Sequence, residues 1–89
     1  MTDADSTIQA LEAFNPLMAP AVRSAIRALH LPLGSQGLDA GCGIGLQAMH
    51  LAAAVGPSGH VTGLDIAPEL LRHAEGIARD AGLSGRIST

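Results

Sequence analysis

Aromatic side chains are almost missing from this sequence: Phe14 stands alone, with no Trp and no Tyr. The apolar mass is therefore Ala, Leu, Ile and Val, which suits helices packed on a sheet and argues against an aromatic-stacking surface. Basic residues are also scarce, five Lys+Arg against eight Asp+Glu, for a net charge of -3. Nucleic-acid binders concentrate positive charge on one face because phosphate neutralisation dominates their affinity, and no such run occurs here. A nucleic-acid partner is not expected. The single cysteine, Cys42, excludes an internal disulfide. The longest strongly apolar stretch, Leu51 to Val55, is too short to span a bilayer, so no membrane partner is expected either. The acidic start, Thr2-Asp3-Ala4-Asp5, lacks the basic and apolar regions of a signal peptide, and a cytoplasmic location is expected.

The 89 residues allow one small domain. At that length only about 60% of the unfolded surface can be buried, so the core has little margin. Ser6-x-x-Gln9 fits a capping box and predicts a helix ending by Asn15-Pro16. A second helix is predicted from Leu17 or Pro20 to His30, with Met18, Val22, Ala25, Ile26 and Leu29 on one stripe. Pro32 and Gly34 close it.

Gly37 to Ala40 is a strand candidate, and Leu46 to Val55 reads as a helix that is apolar nearly all round, hence largely buried. After the turn Gly56-Pro57-Ser58-Gly59, a second strand is predicted over His60 to Asp65. The last helix opens at Pro68 and stops at Gly82. Its apolar face runs through Leu70, Leu71, Ala74, Ile77, Ala78 and Ala81. Glu75 and Arg79 are spaced to pair on the opposite side. Arg86 to Thr89 looks like the opening of another strand. This βαβα order implies a parallel sheet with right-handed crossovers. Such sheets are covered on both faces and need several strands, so the sequence reads as the front half of a larger α/β domain.

The chemistry-bearing stretch is Asp39-Ala40-Gly41-Cys42-Gly43-Ile44-Gly45, with Asp65 at the end of the next strand. Glycines after a first parallel strand let the backbone turn sharply and lie against a ligand. The following helix start offers free amide donors. An acid at the end of the second strand sits beside them and can accept hydrogen bonds from vicinal ribose hydroxyls. The dinucleotide fingerprint G-x-G-x-x-G is not met: counted from Gly41 its third glycine falls on Leu46, and counted from Gly43 it falls on Ala48. Asp39 would also repel a pyrophosphate, whereas a sulfonium and an α-ammonium group would be attracted to it.

Asp39-Ala-Gly-Cys-Gly-Ile-Gly45 resembles the D/E-x-G-x-G-x-G signature of class I (Rossmann-like) S-adenosylmethionine-dependent methyltransferases. Val61 to Leu71 resembles their second conserved block. The loop Gly56 to Gly59 is similar to that of a small-molecule branch that includes ubiquinone/menaquinone-biosynthesis and arsenite methyltransferases. The resemblance covers residues 33 to 89 and implies an incomplete Rossmann-like domain, preceded over residues 1–32 by a helical lid. It implies that Asp39, Ala40, Gly41, Gly43 and Gly45 shape the pocket for the methionine moiety. Asp65 would then hold the ribose hydroxyls, and Ile66 would pack on the adenine. Gly37 and Ala67 depart from the family's β-branched residue and Ser/Thr helix cap. The family's third-strand acid, its fourth-strand motif and the acceptor-binding part have no counterpart.

Three readings of function follow. In the first, the parent protein transfers the methyl of S-adenosylmethionine to a small-molecule acceptor, leaving S-adenosylhomocysteine, with any general base beyond Thr89. In the second, the chain is a non-catalytic cofactor-binding or interaction module that self-associates or pairs with a missing half. In the third, disfavoured by the glycine spacing, it is a fragment of a nucleotide-dependent oxidoreductase. No metal is expected, because the spacings of His30, His50, His60 and His73 match no ligand set; they read as surface or edge histidines. Cys42 reads as a small loop-lining residue. Phe14 and Met18 read either as a lid over the cofactor or as ordinary packing.

Overall fold

The computed structural model describes residues 2–89 and is α/β throughout. The elements are α1 (Asp3–Ala28), β1 (Gln36–Ala40), α2 (Leu46–Val55), β2 (His60–Leu64), α3 (Pro68–Asp80) and β3 (Ile87–Ser88). The three strands form one parallel sheet in the order β1-β2-β3. β2 therefore occupies the centre, with Asp39 opposite Gly63 and Val61 opposite Ile87.

α2 and α3 pack on one face of this sheet. Ala48, Ala52 and Val55 of α2 and Ala78 of α3 close over Val61 and Ile87 to make the core. Small alanines at these positions allow the helices to approach the strands closely. Because the side-chain period of a strand is two, Leu38, Ala40, Thr62 and Leu64 point to the other face. Leu38 is 63% exposed there and Leu64 47%.

The N-terminal region corrects the expectation of two helices, since α1 runs unbroken from Asp3 to Ala28 through Pro16 and Pro20. Each proline removes one backbone donor and crowds the carbonyl four residues earlier. Both lie on exposed helix surface, where the carbonyls thus released can turn to water. The cap is also relocated. Thr2, not Ser6, is the N-cap, and it exchanges hydrogen bonds with Asp5 in a capping box.

The expected apolar stripe is only partly used. Val22 and Ile26 are half-buried and Ala19 is buried, while Met18, Ala25 and Leu29 stay exposed. α1 spans about 39 Å but α2, on which it packs, only about 15 Å, so much of α1 has nothing to cover it. On α3 the expected Glu75–Arg79 pair is not formed. Glu75 instead accepts a hydrogen bond from the Thr89 hydroxyl at 2.5 Å. Elsewhere on α3, His73 meets Glu12 of α1 at 2.8 Å and ties the two helices together.

Candidate cofactor-binding site

The loop between β1 and α2 is built from glycines for two separate reasons. Gly41, Gly43 and Gly45 have φ of 70°, 56° and 82°, in the left-handed region that side chains disfavour. A Cβ on Gly45 would also lie 3.1 Å from the Ala74 Cβ, so α3 can approach the start of α2 only because that atom is missing. Around Gly41, by contrast, the space a Cβ would enter is open. The backbone there is bare toward the ligand side.

Asp65, just past β2, fastens this loop. Its Oδ2 accepts a hydrogen bond from the Gly43 amide at 3.0 Å, and its Oδ1 accepts one from the Ala67 amide at 3.0 Å. The carboxylate thus bridges the glycine loop and the start of α3, where Ala67 has no side chain to cap the helix. These amides, Ala67 first and then Gly43, hold the Asp65 carboxyl below the usual carboxylate range. A carboxylate offers about four acceptor positions, so these bonds do not exhaust its capacity. The Cys42 amide, donating to the Leu64 carbonyl at 2.8 Å, adds a second tie between loop and β2.

Asp39 stands in a different environment. Its Oδ2 is buried and has no hydrogen-bond partner among the described residues, and burial pushes its carboxyl above the usual range. An unsatisfied buried acceptor of this kind is costly unless a donor or cation meets it. Cys42 lies next to it; burial, reinforced by the charges of Asp39 and Asp65, raises the thiol further and keeps it protonated at neutral pH.

The loop separates two cavities that share Gly41. One, of about 290 Å³, lies between Gly41 and Leu64, Asp65 and Ile66. Ile66 is fully exposed at its rim, a flat apolar surface at the carboxyl end of the sheet. The other, of about 210 Å³, lies between the loop and α1, with Phe14, Met18 and His50 in its wall.

All seven candidate residues, Asp39, Ala40, Gly41, Gly43, Gly45, Asp65 and Ile66, therefore fall at one edge of the sheet. Two features of the site escaped sequence reasoning. Gly63 faces the loop from β2, and a Cβ there would approach the Cys42 Sγ to 2.8 Å, so the loop can sit down on the strand only over a glycine. A glycine inside a strand was the available signal. His50, read as a surface histidine, is half-buried and lines the second cavity. Its position on a helix that is otherwise apolar save for Gln47 is the clue.

Comparison with known proteins gives a consistent picture. A family model described as a methyltransferase domain matches residues 34–88. No curated protein sequence matches the chain. Among solved structures, a SAM-dependent methyltransferase of Aquifex aeolicus superposes with a TM-score of 0.81 at 25% identity, over 98% of this chain and 45% of its own. A putative rRNA-methylase of Clostridium thermocellum gives 0.70 at 26% identity, over 80% of this chain and 38% of its own. A SAM-dependent O-methyltransferase of Thermotoga maritima gives 0.72 at 29% identity, over 76% and 26%. The chain thus spans less than half the length of each of these structures.

Proposed function

Because the chain belongs to the methyltransferase-domain family, we propose that it builds the S-adenosylmethionine site of an enzyme that methylates a small-molecule acceptor. The buried, unpartnered Oδ2 of Asp39 beside an open glycine turn carries this reading. It is an acceptor and a negative charge without a partner, at the place where a pyrophosphate would be repelled and an ammonium or sulfonium welcomed.

When bound, S-adenosylmethionine supplies a methyl group made electrophilic by its sulfonium. The residues of this chain bind and orient it. Asp39 attracts the cationic methionine end, and the turn from Ala40 through Gly41 to Gly43, open at Gly41, lets that end lie close. Asp65 uses its remaining acceptor capacity for the ribose hydroxyls while its bonds to the Gly43 and Ala67 amides hold the loop and the start of α3 in place. Ile66 offers an apolar surface for the adenine, and Gly45 brings α2 and α3 together beneath it. α1, with Phe14 and Met18 above the loop, serves as the lid segment of residues 1–32, of which Met1 lies outside the described residues. Positioning of this kind accounts for much of the acceleration of a displacement reaction.

A small-molecule acceptor is favoured over a polynucleotide by the net charge of -3 and by a sequence with no run of basic residues. The Clostridium thermocellum neighbour, a putative rRNA-methylase, shows that the fold does not by itself choose between them. Among the described residues no helix is long and apolar enough to cross a membrane.

Calorimetric titration of the chain with S-adenosylhomocysteine, with NADH as the control ligand, tests the assignment. Binding of S-adenosylhomocysteine alone is expected, and Asp65→Ala should weaken it at least about tenfold, or 1.4 kcal/mol. Preferential binding of NADH would transfer the site to a nucleotide oxidoreductase. An unchanged affinity in Asp65→Ala would remove Asp65 from the ribose.

A further inference from the structure

We infer that the cavity between α1 and the glycine loop binds the methyl acceptor, and that this acceptor is a small, uncharged, largely apolar molecule carrying one hydrogen-bonding nucleophile. The inference rests on the methyltransferase reading and specifies its substrate class.

Gly41 borders both this cavity and the Asp65 and Ile66 cavity. A donor lying across that bare glycine would face the acceptor cavity with one end. The volume, about 210 Å³, is below the range of about 300–1,000 Å³ usual for drug-sized ligands, which limits the occupant to a small molecule.

The wall defines the chemistry of the occupant. Phe14 and Met18 of α1 form its apolar side, and they are 61% and 54% exposed although they are large and hydrophobic. Asn15, Gln47 and His50 supply its strong hydrogen-bonding side chains. Among the described residues no Asp, Glu, Lys or Arg borders it. Its two titratable groups also favour their neutral forms: burial raises the Cys42 thiol, while burial and the neighbouring Arg23 lower the His50 imidazole. A charged acceptor would have to leave water without a counter-charge, which is costly. An apolar molecule with one hydroxyl or similar group is matched on every side. The Phe14 and Met18 side chains, idle on the outside of a helix, would be covered by it.

The lack of Trp and Tyr makes the test direct, because the chain contributes almost no ultraviolet fluorescence of its own. The emission of 2-naphthol is followed as the chain is added, in the presence of saturating S-adenosylhomocysteine, and calorimetry records the binding of S-adenosylhomocysteine in the same samples. Saturable naphthol binding is expected. Met18→Glu, which places a charge in the cavity wall at an exposed helix position, should weaken it at least about tenfold. Leu38→Glu, on the exposed face of the sheet, should leave both unchanged.

Naphthol binding that ignores Met18→Glu, or that is lost in Leu38→Glu, overturns the inference. So does the absence of naphthol binding in a chain that binds S-adenosylhomocysteine, and the methyltransferase reading then stands. Failure of S-adenosylhomocysteine to bind while naphthol binding remains sensitive to Met18→Glu has the reverse meaning. The cavity is then confirmed as an apolar ligand site and the cofactor reading falls.

Discussion

The two faces of the β-sheet are made from alternate residues of the same strands, yet they differ in almost every respect. On one face Val61 is 0% exposed under the alanines of α2 and α3. On the other, Leu38 and Leu64 are open to solvent. Parallel sheets are ordinarily buried on both sides. The apolar residues of the open face therefore contribute little to the stability of this chain as it stands. The glycine loop, Asp39 and Asp65 lie at the end of the covered face, where α2 and α3 hold them. Stability and the glycine loop share one face, while the open face adds Ala40 and Leu64 at its carboxyl end to the site.

Substitutions that treat the two faces alike should expose this asymmetry. Val61→Asp buries an unpaired charge at the centre of the covered face. It should cost more than about 3 kcal/mol, which in so small a chain removes the cooperative unfolding transition seen by circular dichroism. A merely lowered midpoint would mean that the covered face is looser than its burial indicates. Gly63→Ala forces the glycine loop away from β2 and should cost about 1–3 kcal/mol by urea denaturation. Adding Cys42→Ala removes the clashing Sγ and should restore most of that loss. A double variant no more stable than the single one would place the strain elsewhere.

The acids of the site should part company in a smaller and more telling way. Asp39 has a raised carboxyl, so its charged form is disfavoured in the folded chain, and stability declines as pH rises from the ordinary 3.8 through the raised value. Asp39→Asn should therefore raise the thermal midpoint at neutral pH while weakening S-adenosylhomocysteine binding, a gain in stability at the expense of function. Asp65 has the opposite sign. Its carboxyl is lowered by amides that it holds only when folded, so its contribution is present above 3.8 and is lost as pH falls through the folded value. In Asp65→Asn the acid limb of the stability profile should flatten. A parallel loss in both variants would show that Asp39 is structural. The smallest effect is expected on the open face, where Leu38→Glu should change stability by no more than about 0.5 kcal/mol. A large loss there would mean that the exposed leucine is already covered in solution, as self-association would cover it.

Local signals in the sequence mark the elements of this chain unevenly, for identifiable reasons. α2 was placed to the residue, because Gly45 and Gly56 bracket an uninterrupted apolar run. Pro68 and Gly82 marked α3 in the same way, through local backbone preferences. β1 and β2 were recognised despite Gly37 and Gly63 because turns bound them on both sides. α1 was split in error, since the rule that proline ends a helix assumes that the lost hydrogen bonds matter, and on an exposed surface water replaces them. At the site the identity of the acids was legible, but the first duty of Asp65 was not. Its bond to the Gly43 amide joins residues 22 positions apart.

Local chemistry thus determines the order of elements, the left-handed glycine turn and the placement of one acid at the end of β1 and another just past β2. Each depends on one or two neighbouring residues and their backbone preferences. The orphaned oxygen of Asp39, the Asp65 bridge, the need for Gly63 and the cavity walled by Phe14, Met18 and His50 arise only on folding. They depend on which distant segments are pressed together, and that is governed by the burial of Val61, Ile87 and the alanines of α2 and α3 as a whole.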